Sequence, residues 1–270
     1  MEREGYPQAI IGPTVPDLDV RRIAPAEPLA EHVDYLWRVA WRVGPDGYAQ
    51  SVVPQPRVHL VAEHGPSPRL WVHGLSRRRF VRSLHGAGFA LGGSFHPAMF
   101  APVLRGDVGA LAERVLPAGE VLGVDDRPYA AAILAGERDD LDAMVGHWED
   151  YLGRVGFVPD PLAAELRDLV ALAERDPRLT RAEDLAAHAG VSLRTLQRRF
   201  STYVGLGPKW VLRRFRVLDA AAVARSGETV DWADLAVRLG FSDQAHLVRV
   251  FAEVVGEPPE RYRGLVTAAD

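Results

Sequence analysis

The chain contains no cysteine among its 270 residues. Disulfide bridges, thiolate zinc sites, cysteine-ligated iron–sulfur clusters and cysteine nucleophiles are therefore excluded. No apolar run approaches the roughly 20 residues needed to cross a bilayer. The opening MEREGYPQ also lacks the basic end and the apolar stretch of a signal peptide. We therefore expect a cytoplasmic protein with no membrane partner.

Lysine is nearly absent as well, because Lys209 is the only lysine among 32 basic residues. The formal net charge is −4, but it is unevenly distributed. From residue 180 onward there are 13 basic and 11 acidic residues, against 19 and 25 before it. The C-terminal arginines crowd into one short stretch: Arg194, Arg198, Arg199, Arg213, Arg214 and Arg216. This placement favours a polyanion as the partner of the C-terminal part.

The first 127 residues have the pattern of β-strands. In VDYLWRVAWRV, Val33, Tyr35, Trp37, Val39 and Trp41 alternate with other residues. RLWVHGL, RFVRSLH and GFALGGSFHP are further short strand candidates, separated by Gly and Pro. We predict a β-barrel or sandwich, cupin-like, over residues 1–127, as the first part of an α+β two-domain chain.

Helical patterns follow this β-rich domain. Residues 128–157 carry an apolar stripe of Leu141, Val145, Trp148 and Leu152 on an otherwise charged helix. This stripe either packs on its own barrel or forms a dimer interface, in which case Trp148 is buried between two chains. VPDP then breaks the chain, and residues 158–179 are predicted to form a connecting helix that ends before Pro177.

Residues 180–207 have the pattern of a helix-turn-helix. Thr180 and Glu183 match a capping box, Gly190 supplies a turn, and Ser192 is placed to cap a second helix, LRTLQRRF. In that helix Leu193, Leu196 and Phe200 share one face, so Arg194, Gln197 and Arg198 project from the opposite face. Arginine can pair with guanine and glutamine with adenine in the major groove of DNA, which is wide enough for one helix.

The same pattern returns about 51 residues later. Residues 229–263 contain VDWADLAVRLG, a turn at Gly240, and a second helix, DQAHLVRVF. A shift of 51 places Leu196 on Leu247, Arg198 on Arg249, Phe200 on Phe251, Gly205 on Gly256 and Pro208 on Pro259. Between the copies, residues 208–226 predict one uninterrupted linker helix with Pro208 in its first turn. If this helix separates the two reading helices by about 34 Å, one chain can enter two successive major grooves.

Residues 162–268 resemble the DNA-binding domain of the AraC/XylS family of transcriptional regulators, most clearly in LAVRLGFSDQAHLVRVFAEVVGEPPERYR. The resemblance implies an all-α domain with two helix-turn-helix modules over residues 180–268. It implies DNA contacts by Arg194, Thr195, Gln197 and Arg198, and by Gln244, Ala245, His246 and Arg249. Phosphate-contact candidates are Ser192, Arg199, Lys209, Arg213 and Ser242. Ala245 and Val248 stand where polar side chains are frequent, so we expect the second module to rely more on Arg249, His246 and shape.

The N-terminal part resembles, more weakly, the effector-binding or dimerisation domain of the same family. By this analogy a small molecule would bind within the barrel, with Trp37, Trp41, His59, Trp71 and His73 as ligand-binding candidates, and residues 128–153 would pair subunits. Aromatic residues on strands more often belong to the core. His59, His64, His73, His85 and His96 are clustered, but a cupin metal site typically uses a His-x-His pair and this chain has none, so no metal is predicted.

We therefore expect a transcriptional regulator that binds double-stranded DNA, with a small-molecule effector and a homodimeric state, and with RNA polymerase as a further candidate partner. Family habit favours an activator. The alternatives are an effector-independent regulator and a barrel enzyme fused to a DNA-binding module. No nucleophile–base pair, phosphate loop or metal spacing supports the enzyme, so no catalytic residue and no cofactor are predicted. A self-methylating repair protein would need an acceptor cysteine.

Overall fold

The computed structural model describes residues 10–11, 18–64, 67–136, 140–226 and 229–267. The strands are β1 (Ile10–Ile11), β2 (Leu18–Ile23), β3 (Val33–Arg42), β4 (Tyr48–Val52), β5 (His59–Glu63), β6 (Arg69–His73), β7 (Phe80–Leu84), β8 (Ala87–Phe95) and β9 (Val115–Pro117). The four strands predicted from the alternating pattern are confirmed as β3, β6, β7 and β8.

Six of these strands form one antiparallel sheet in the order β2-β3-β8-β5-β6-β9. Strand β8 lies near the centre of this sheet and has glycines at the positions where aromatic rings pack against it. A Cβ on Gly92 would lie less than 3.0 Å from the ring of Trp37, and one on Gly93 equally close to the ring of Trp148. Trp37 belongs to β3 and Trp148 to a helix on the opposite face of the sheet. The two glycines therefore allow an indole to lie against each face.

The remaining three strands form a second sheet in the order β1-β4-β7. Of the two predicted architectures, the sandwich agrees with this arrangement and the closed barrel does not. Within the described residues no ladder joins the two sheets, because β4 pairs only with β1 and β7. Side chains connect them instead, and Arg82 of β7 forms an ion pair with Glu63 of β5.

Five α-helices precede the C-terminal part: α1 (Ala101–Leu104), α2 (Ala118–Leu122), α3 (Arg127–Ala135), α4 (Leu141–Val155) and α5 (Pro161–Arg175). Of these, α2 and α3 contact β6, and α4 places Trp148 against β8. Asp126 fixes the start of α3 on β6. Its fully buried carboxylate accepts hydrogen bonds from the Arg69 side chain, from Leu70 N at 2.8 Å and from Gly119 N at 3.0 Å. Asp160 caps α5 by accepting from the backbone of its first turn.

The apolar stripe of α4 packs against its own domain. Trp148 is fully enclosed, and its Nε1 donates a hydrogen bond to the carbonyl oxygen of Leu60 at 3.0 Å. Leu152 is equally buried, and Leu141 and Val145 are half-buried against the same core. The predicted role of Trp148 and Leu152 in a dimer interface is therefore wrong, since the chain's own atoms already cover both side chains.

The C-terminal part is helical: α6 (Ala182–His188), α7 (Leu193–Arg199), α8 (Pro208–Arg225), α9 (Trp232–Arg238), α10 (Gln244–Val255) and α11 (Pro259–Thr267). One wider π-helical turn, Phe200–Val204, extends α7. The predicted linker helix is confirmed, because α8 runs for 18 residues without a break. In the part of the chain that the structure describes, no helix has the length and apolar character of a membrane span.

Two hydrophobic cores divide the molecule differently from the two predicted domains. One core is continuous from the larger sheet into the first helix-turn-helix module, where it includes Leu196 and Phe200. The other lies within the second module around Leu247 and Phe251, and it includes one residue of the sandwich, Val53, which follows β4. The first module is thus built onto the N-terminal part, while the second module has a core of its own.

Candidate nucleic-acid interface

The first helix-turn-helix module consists of α6, a turn and α7. Gly190 forms the turn in the left-handed conformation, with φ of 64°. Ser192 then caps α7, since its Oγ accepts a hydrogen bond from Thr195 N at 3.1 Å. Leu196 and Phe200 are fully buried, which fixes the rotation of α7 about its axis. The opposite face of α7 must therefore point to solvent.

That exposed face carries Arg194, Gln197 and Arg198. None of the three side chains forms a hydrogen bond or ion pair with any described residue. Two exposed arginines of the second module differ in this respect, because Arg238 pairs with Asp234 and Arg261 with Glu257. The exposed face of α7 thus presents two guanidinium groups and one amide whose donors have no partner within the described chain.

The other residues predicted for the first module are placed less favourably for reading bases. Thr195 is half-buried, and its hydroxyl lies 3.0 Å from the Ser192 hydroxyl, so both belong to the helix cap. Arg199 is half-buried beside the wider turn. Ser192 is exposed at the N-terminus of α7, where backbone amides can donate hydrogen bonds to a phosphate oxygen.

The capping box predicted at Thr180 and Glu183 is wrong. Arg181 is the residue that precedes α6, and no described side chain caps this end of the helix. Thr180 instead lies against the turn of the second module, where a Cβ on Gly240 would be less than 3.0 Å from the Thr180 side chain. Thr180 therefore contributes to the packing between the two modules and does not cap α6.

The second module repeats this construction with different caps. Asp231 caps α9 by accepting from Ala233 N at 2.9 Å and from Asp234 N at 3.0 Å. Gly240 makes the turn with φ of 77°. Asp243 caps α10 by accepting from His246 N at 2.7 Å. This backbone hydrogen bond, together with one from Ser242 Oγ, lowers the pKa of Asp243, so a carboxylate stands at the start of the second reading helix.

The solvent face of α10 is less polar than that of α7. Gln244, Ala245 and Arg249 are exposed, and neither Gln244 nor Arg249 has a hydrogen-bond or ion-pair partner among the described residues. His246 is half-buried, because its imidazole Nδ1 lies 3.1 Å from Ser242 Oγ and its ring packs edge-on against Phe241. The turn therefore holds two of the predicted contact residues, His246 and Ser242. The cap residue Asp243 was not predicted, although an Asp before a helix is a typical cap signal.

The linker helix α8 buries two of its four arginines. Lys209 is exposed in the first turn and Arg213 is half-buried, so both remain candidates for phosphate contact. Arg214 and Arg216 are almost fully buried. Arg216 donates to the carbonyl oxygens of Ala173 at 2.5 Å and Asp176 at 2.9 Å, and thereby caps the C-terminal end of α5.

The five predicted ligand-binding residues share one face of the larger sheet, the face toward the smaller sheet. Trp37 and Trp71 lie in one cross-strand row with Gly92 and Val61 between them. His59 and His73 are neighbours in the next row. The fifth residue, Trp41, lies further along β3 against Gly88 of β8.

Polar contacts on this face connect both sheets. His59 Nδ1 lies 3.4 Å from Trp37 Nε1, and burial lowers the pKa of His59 to about 3, so its imidazole is neutral. His73 Nε2 lies 3.1 Å from Glu63 Oε1, and Glu63 also pairs with Arg82 of the smaller sheet. Burial alone would raise the pKa of Glu63, but His73 and Arg82 lower it. Glu63 and Arg82 were not predicted from the sequence, since their pairing depends on how the two sheets meet.

Among the described residues, no cluster of three or more histidine or carboxylate side chains has an arrangement that could hold a metal ion. The pair of His73 and Glu63 is completed by the positive charge of Arg82. This trio is an ion-pair network between the sheets.

Comparisons with known proteins match both parts of the chain. A family model described as a helix-turn-helix domain matches residues 185–264, and one described as a domain of unknown function (DUF6597) matches residues 21–117. An AraC-like transcription regulator of Streptomyces lividans is 36% identical over 112 residues, which cover 41% of this chain and 36% of that protein. The HTH-type transcriptional activator RhaS of Klebsiella pneumoniae (strain 342) is 40% identical over 70 residues, 26% of this chain and 24% of that protein.

The chain thus spans little more than a third of the first of these relatives and a quarter of the second. Among solved structures, ToxT from Vibrio cholerae aligns over 93% of this chain and 98% of its own length, with 12% identity and a TM-score of 0.41.

Proposed function

We propose, since this chain belongs to the AraC/XylS family, that it is a transcriptional regulator which binds double-stranded DNA sequence-specifically through both helix-turn-helix modules. One observation carries the proposal. The exposed face of α7 presents Arg194, Gln197 and Arg198 without partners among the described residues, on a helix that buried Leu196 and Phe200 hold in place. A rigid helix with free bidentate donors has the chemistry needed for major-groove readout.

The first module has the stronger reading chemistry. Each arginine can donate two hydrogen bonds to O6 and N7 of guanine, and Gln197 can pair with N6 and N7 of adenine. Because the three residues are exposed on one helix face, they can address neighbouring base pairs of one groove. We therefore expect the most informative positions of the DNA site to lie under α7.

The second module combines one arginine with apolar contacts. Arg249 and Gln244 supply the free donors, while Ala245 can contact a thymine methyl group. The ionised carboxylate of Asp243 at the start of α10 opposes close approach of a phosphate there. We therefore expect the second module to contribute less affinity and fewer specified base pairs than the first.

The linker helix suits binding to one side of a DNA duplex. Its 18 residues correspond to about 27 Å of helix, which is of the same order as the roughly 34 Å between successive major grooves. Lys209 and Arg213 are its candidates for phosphate contact. Because DNA is the proposed partner, we expect the protein in the cytoplasm.

We further propose that a small molecule controls this DNA binding from between the two sheets. Trp37 and Trp71 offer flat apolar surfaces on the same row, and His59 is a neutral hydrogen-bonding group in the next row. This combination suits a planar, largely apolar ligand with a polar edge. The homodimer and the contact with RNA polymerase stay predictions, and a dimer would use surfaces other than Trp148 and Leu152. The activator among the relatives favours activation.

The decisive experiment is in vitro selection of random DNA duplexes by the full-length protein, followed by affinity measurements at several salt concentrations. We expect a two-element motif whose elements are separated by about 10 base pairs, one helical turn. Weak binding without any motif, with a steep salt dependence, would contradict sequence-specific recognition. The same selection with a mixture of planar aromatic metabolites separates effector-dependent from effector-independent binding.

A further inference from the structure

One short loop of the N-terminal part contacts both helix-turn-helix modules. Residues 74–79, GLSRRR, connect β6 to β7 and are called here the junction loop. Its Leu75 side chain is buried against Gly205 of the first module. Its Arg79 guanidinium lies on Gly256 of the second module. The two contacts are only four residues apart in the loop. Leu75 belongs to the first hydrophobic core, and Gly256 follows Val255 of the second core.

The two contacted glycines occupy the same position in the two copies. Gly205 and Gly256 are 51 residues apart, which is the repeat distance. Each ends the helical segment that carries the reading residues, and each is left-handed, with φ of 76° and 97°. A Cβ on Gly205 would lie less than 3.0 Å from Leu75, and one on Gly256 less than 3.0 Å from Arg79. The junction loop therefore contacts both reading segments at their C-terminal ends, in equivalent positions of the two copies.

Hydrogen bonds hold the junction loop in a fixed shape. Gly74 N donates to Arg114 O at 2.9 Å, and Glu113 N donates to Leu75 O at 2.8 Å. Arg77 N donates to the Glu113 carboxylate at 2.7 Å. The loop is thus anchored at three points to residues 113–114 of the same domain. A loop held in this way can couple the position of one module to the position of the other.

The segment just before these anchors also packs on the first module. The 3-10 turn Val108–Leu111 lies against the wider turn that follows α7, and a Cβ on Gly109 would be less than 3.0 Å from the carbonyl oxygen of Ser201. On the second module, Arg79 places a cation at the C-terminal end of α10, where the helix dipole favours positive charge.

We infer that Leu75 and Arg79 are positioning residues for DNA recognition, which fix the separation and relative rotation of the two reading helices and so select the spacing of the two DNA elements. This inference rests on the proposed function. The reading residues of α7 and α10 determine which bases are preferred. The junction loop determines how far apart those bases must be, because it contacts the equivalent helix ends of two modules that have separate cores, in addition to the linker helix and the contact of Thr180 with Gly240.

The test uses Arg79→Ala, with Arg78→Ala as the matched control. Both residues are exposed arginines of the junction loop, so each variant loses one charge at nearly the same place. The probes are duplexes that carry the selected two-element site with separations varied in single base pairs around the optimum, and duplexes with one element only. Affinity of the full-length protein for each duplex is measured by fluorescence anisotropy, and the melting temperature of each variant is recorded.

For the wild type we expect one sharp optimum of spacing. Arg79→Ala should bind the one-element duplexes within about twofold of the wild type, but its preference for the optimal spacing should fall by about fivefold or more, a coupling change of ordinary size. Arg78→Ala should keep the wild-type preference. A merely structural role of Arg79 would lower the melting temperature and leave the spacing preference unchanged, and this result overturns the inference.

The proposed function and the inference fail in different ways. If the wild type selects no two-element motif, the proposed function fails and the inference falls with it. If the wild type has a sharp spacing optimum that Arg79→Ala retains, the inference alone is wrong.

Discussion

The side chain of Arg214, in the linker helix, donates a hydrogen bond from Nε to the carbonyl oxygen of Pro54 in the sandwich at a distance of 2.5 Å. Arg214 is almost fully buried, and its two terminal nitrogens have no hydrogen-bond partner among the described residues. Burial lowers the pKa of Arg214 to about 9, against the opposing charge of Glu174. The contact between the sandwich and the linker helix therefore contains a poorly compensated cation.

Arg214 and Arg216 should respond oppositely to the same substitution. Arg214→Met removes a buried charge and one hydrogen bond, so we expect the free energy of unfolding to change by less than about 1 kcal/mol or to rise. Arg216→Met leaves the carbonyls of Ala173 and Asp176 without their donor and should lower that free energy by about 2–4 kcal/mol.

Urea unfolding of the two variants beside the wild type measures this difference. Each change replaces an arginine of α8 by the same unbranched apolar side chain, so the two variants control for each other. Equal destabilisation by both substitutions would show that the buried charge of Arg214 contributes as much to stability as the helix cap formed by Arg216, which contradicts the prediction.

Arg198 should contribute to DNA affinity and little to folding. Arg198→Ala removes a free bidentate donor from the exposed face of α7, so affinity for the selected site should fall by about 1–3 kcal/mol, or roughly 5- to 150-fold. The melting temperature should stay within about 1 °C of the wild type, since exposed substitutions without partners have small effects. Anisotropy titrations and thermal denaturation provide the two measurements.

Arg154→Ala is the matched control for Arg198→Ala. Arg154 is an exposed arginine of α4 in the N-terminal part, so the change in net charge is the same but lies away from the reading helices. The contact is assigned further by replacing each guanine of the site in turn. At the guanine that Arg198 reads, wild type and variant should bind the altered site equally, and an unchanged preference for that guanine would remove Arg198 from the reading face.

Local patterns were sufficient to predict the reading helices. The apolar spacing of Leu196 and Phe200, the glycine turns at Gly190 and Gly240, and the cap at Ser192 are all encoded within a few residues of one another. The strands β3, β6, β7 and β8 were equally local, because alternation and flanking Gly and Pro identify them. The two sheets of the sandwich could be predicted as a class but not as an order of strands.

Contacts between distant parts of the chain could not be predicted in this way. The sequence pattern assigns arginines to the surface, but Arg38, Arg214 and Arg216 are buried because each finds its partner far along the chain. Arg38 pairs with Asp19 of the neighbouring strand, and the other two donate to backbone carbonyls. The junction loop is a similar case, since nothing near GLSRRR indicates that it reaches both modules.

Gly93 should tolerate no side chain. Gly93→Ala places a methyl group where the Trp148 ring lies, so we expect the free energy of unfolding to fall by about 2–4 kcal/mol through overpacking. Gly146→Ala is the control, because Gly146 lies in the same helix as Trp148 and a Cβ there meets no atom within 4 Å. That change should stabilise the protein by about 0.5–1 kcal/mol through helix propensity. A neutral Gly93→Ala would disprove the close packing of Trp148 on β8.

His59 should make the protein less stable in mild acid. Its pKa is about 3 in the folded protein against 6.5 in a solvated histidine, because burial disfavours the charged imidazole and the charges of His73 and Arg57 add to this effect. Between pH 7 and pH 5 the unfolded chain therefore takes up a proton at His59 that the folded chain does not. The free energy of unfolding should fall by about 1–2 kcal/mol over this range from His59 alone.

The variant His59→Gln separates this contribution from those of other histidines. Burial also lowers the pKa of His32 and His96, so the variant should still lose stability on acidification, but less steeply than the wild type. Urea unfolding at pH 7.5 and pH 5.0 gives the two slopes. Because glutamine cannot gain a proton, the difference between the slopes measures the contribution of the His59 imidazole to the pH dependence of the free energy of unfolding. Parallel slopes would mean that the pKa of His59 is the same in the folded and the unfolded chain.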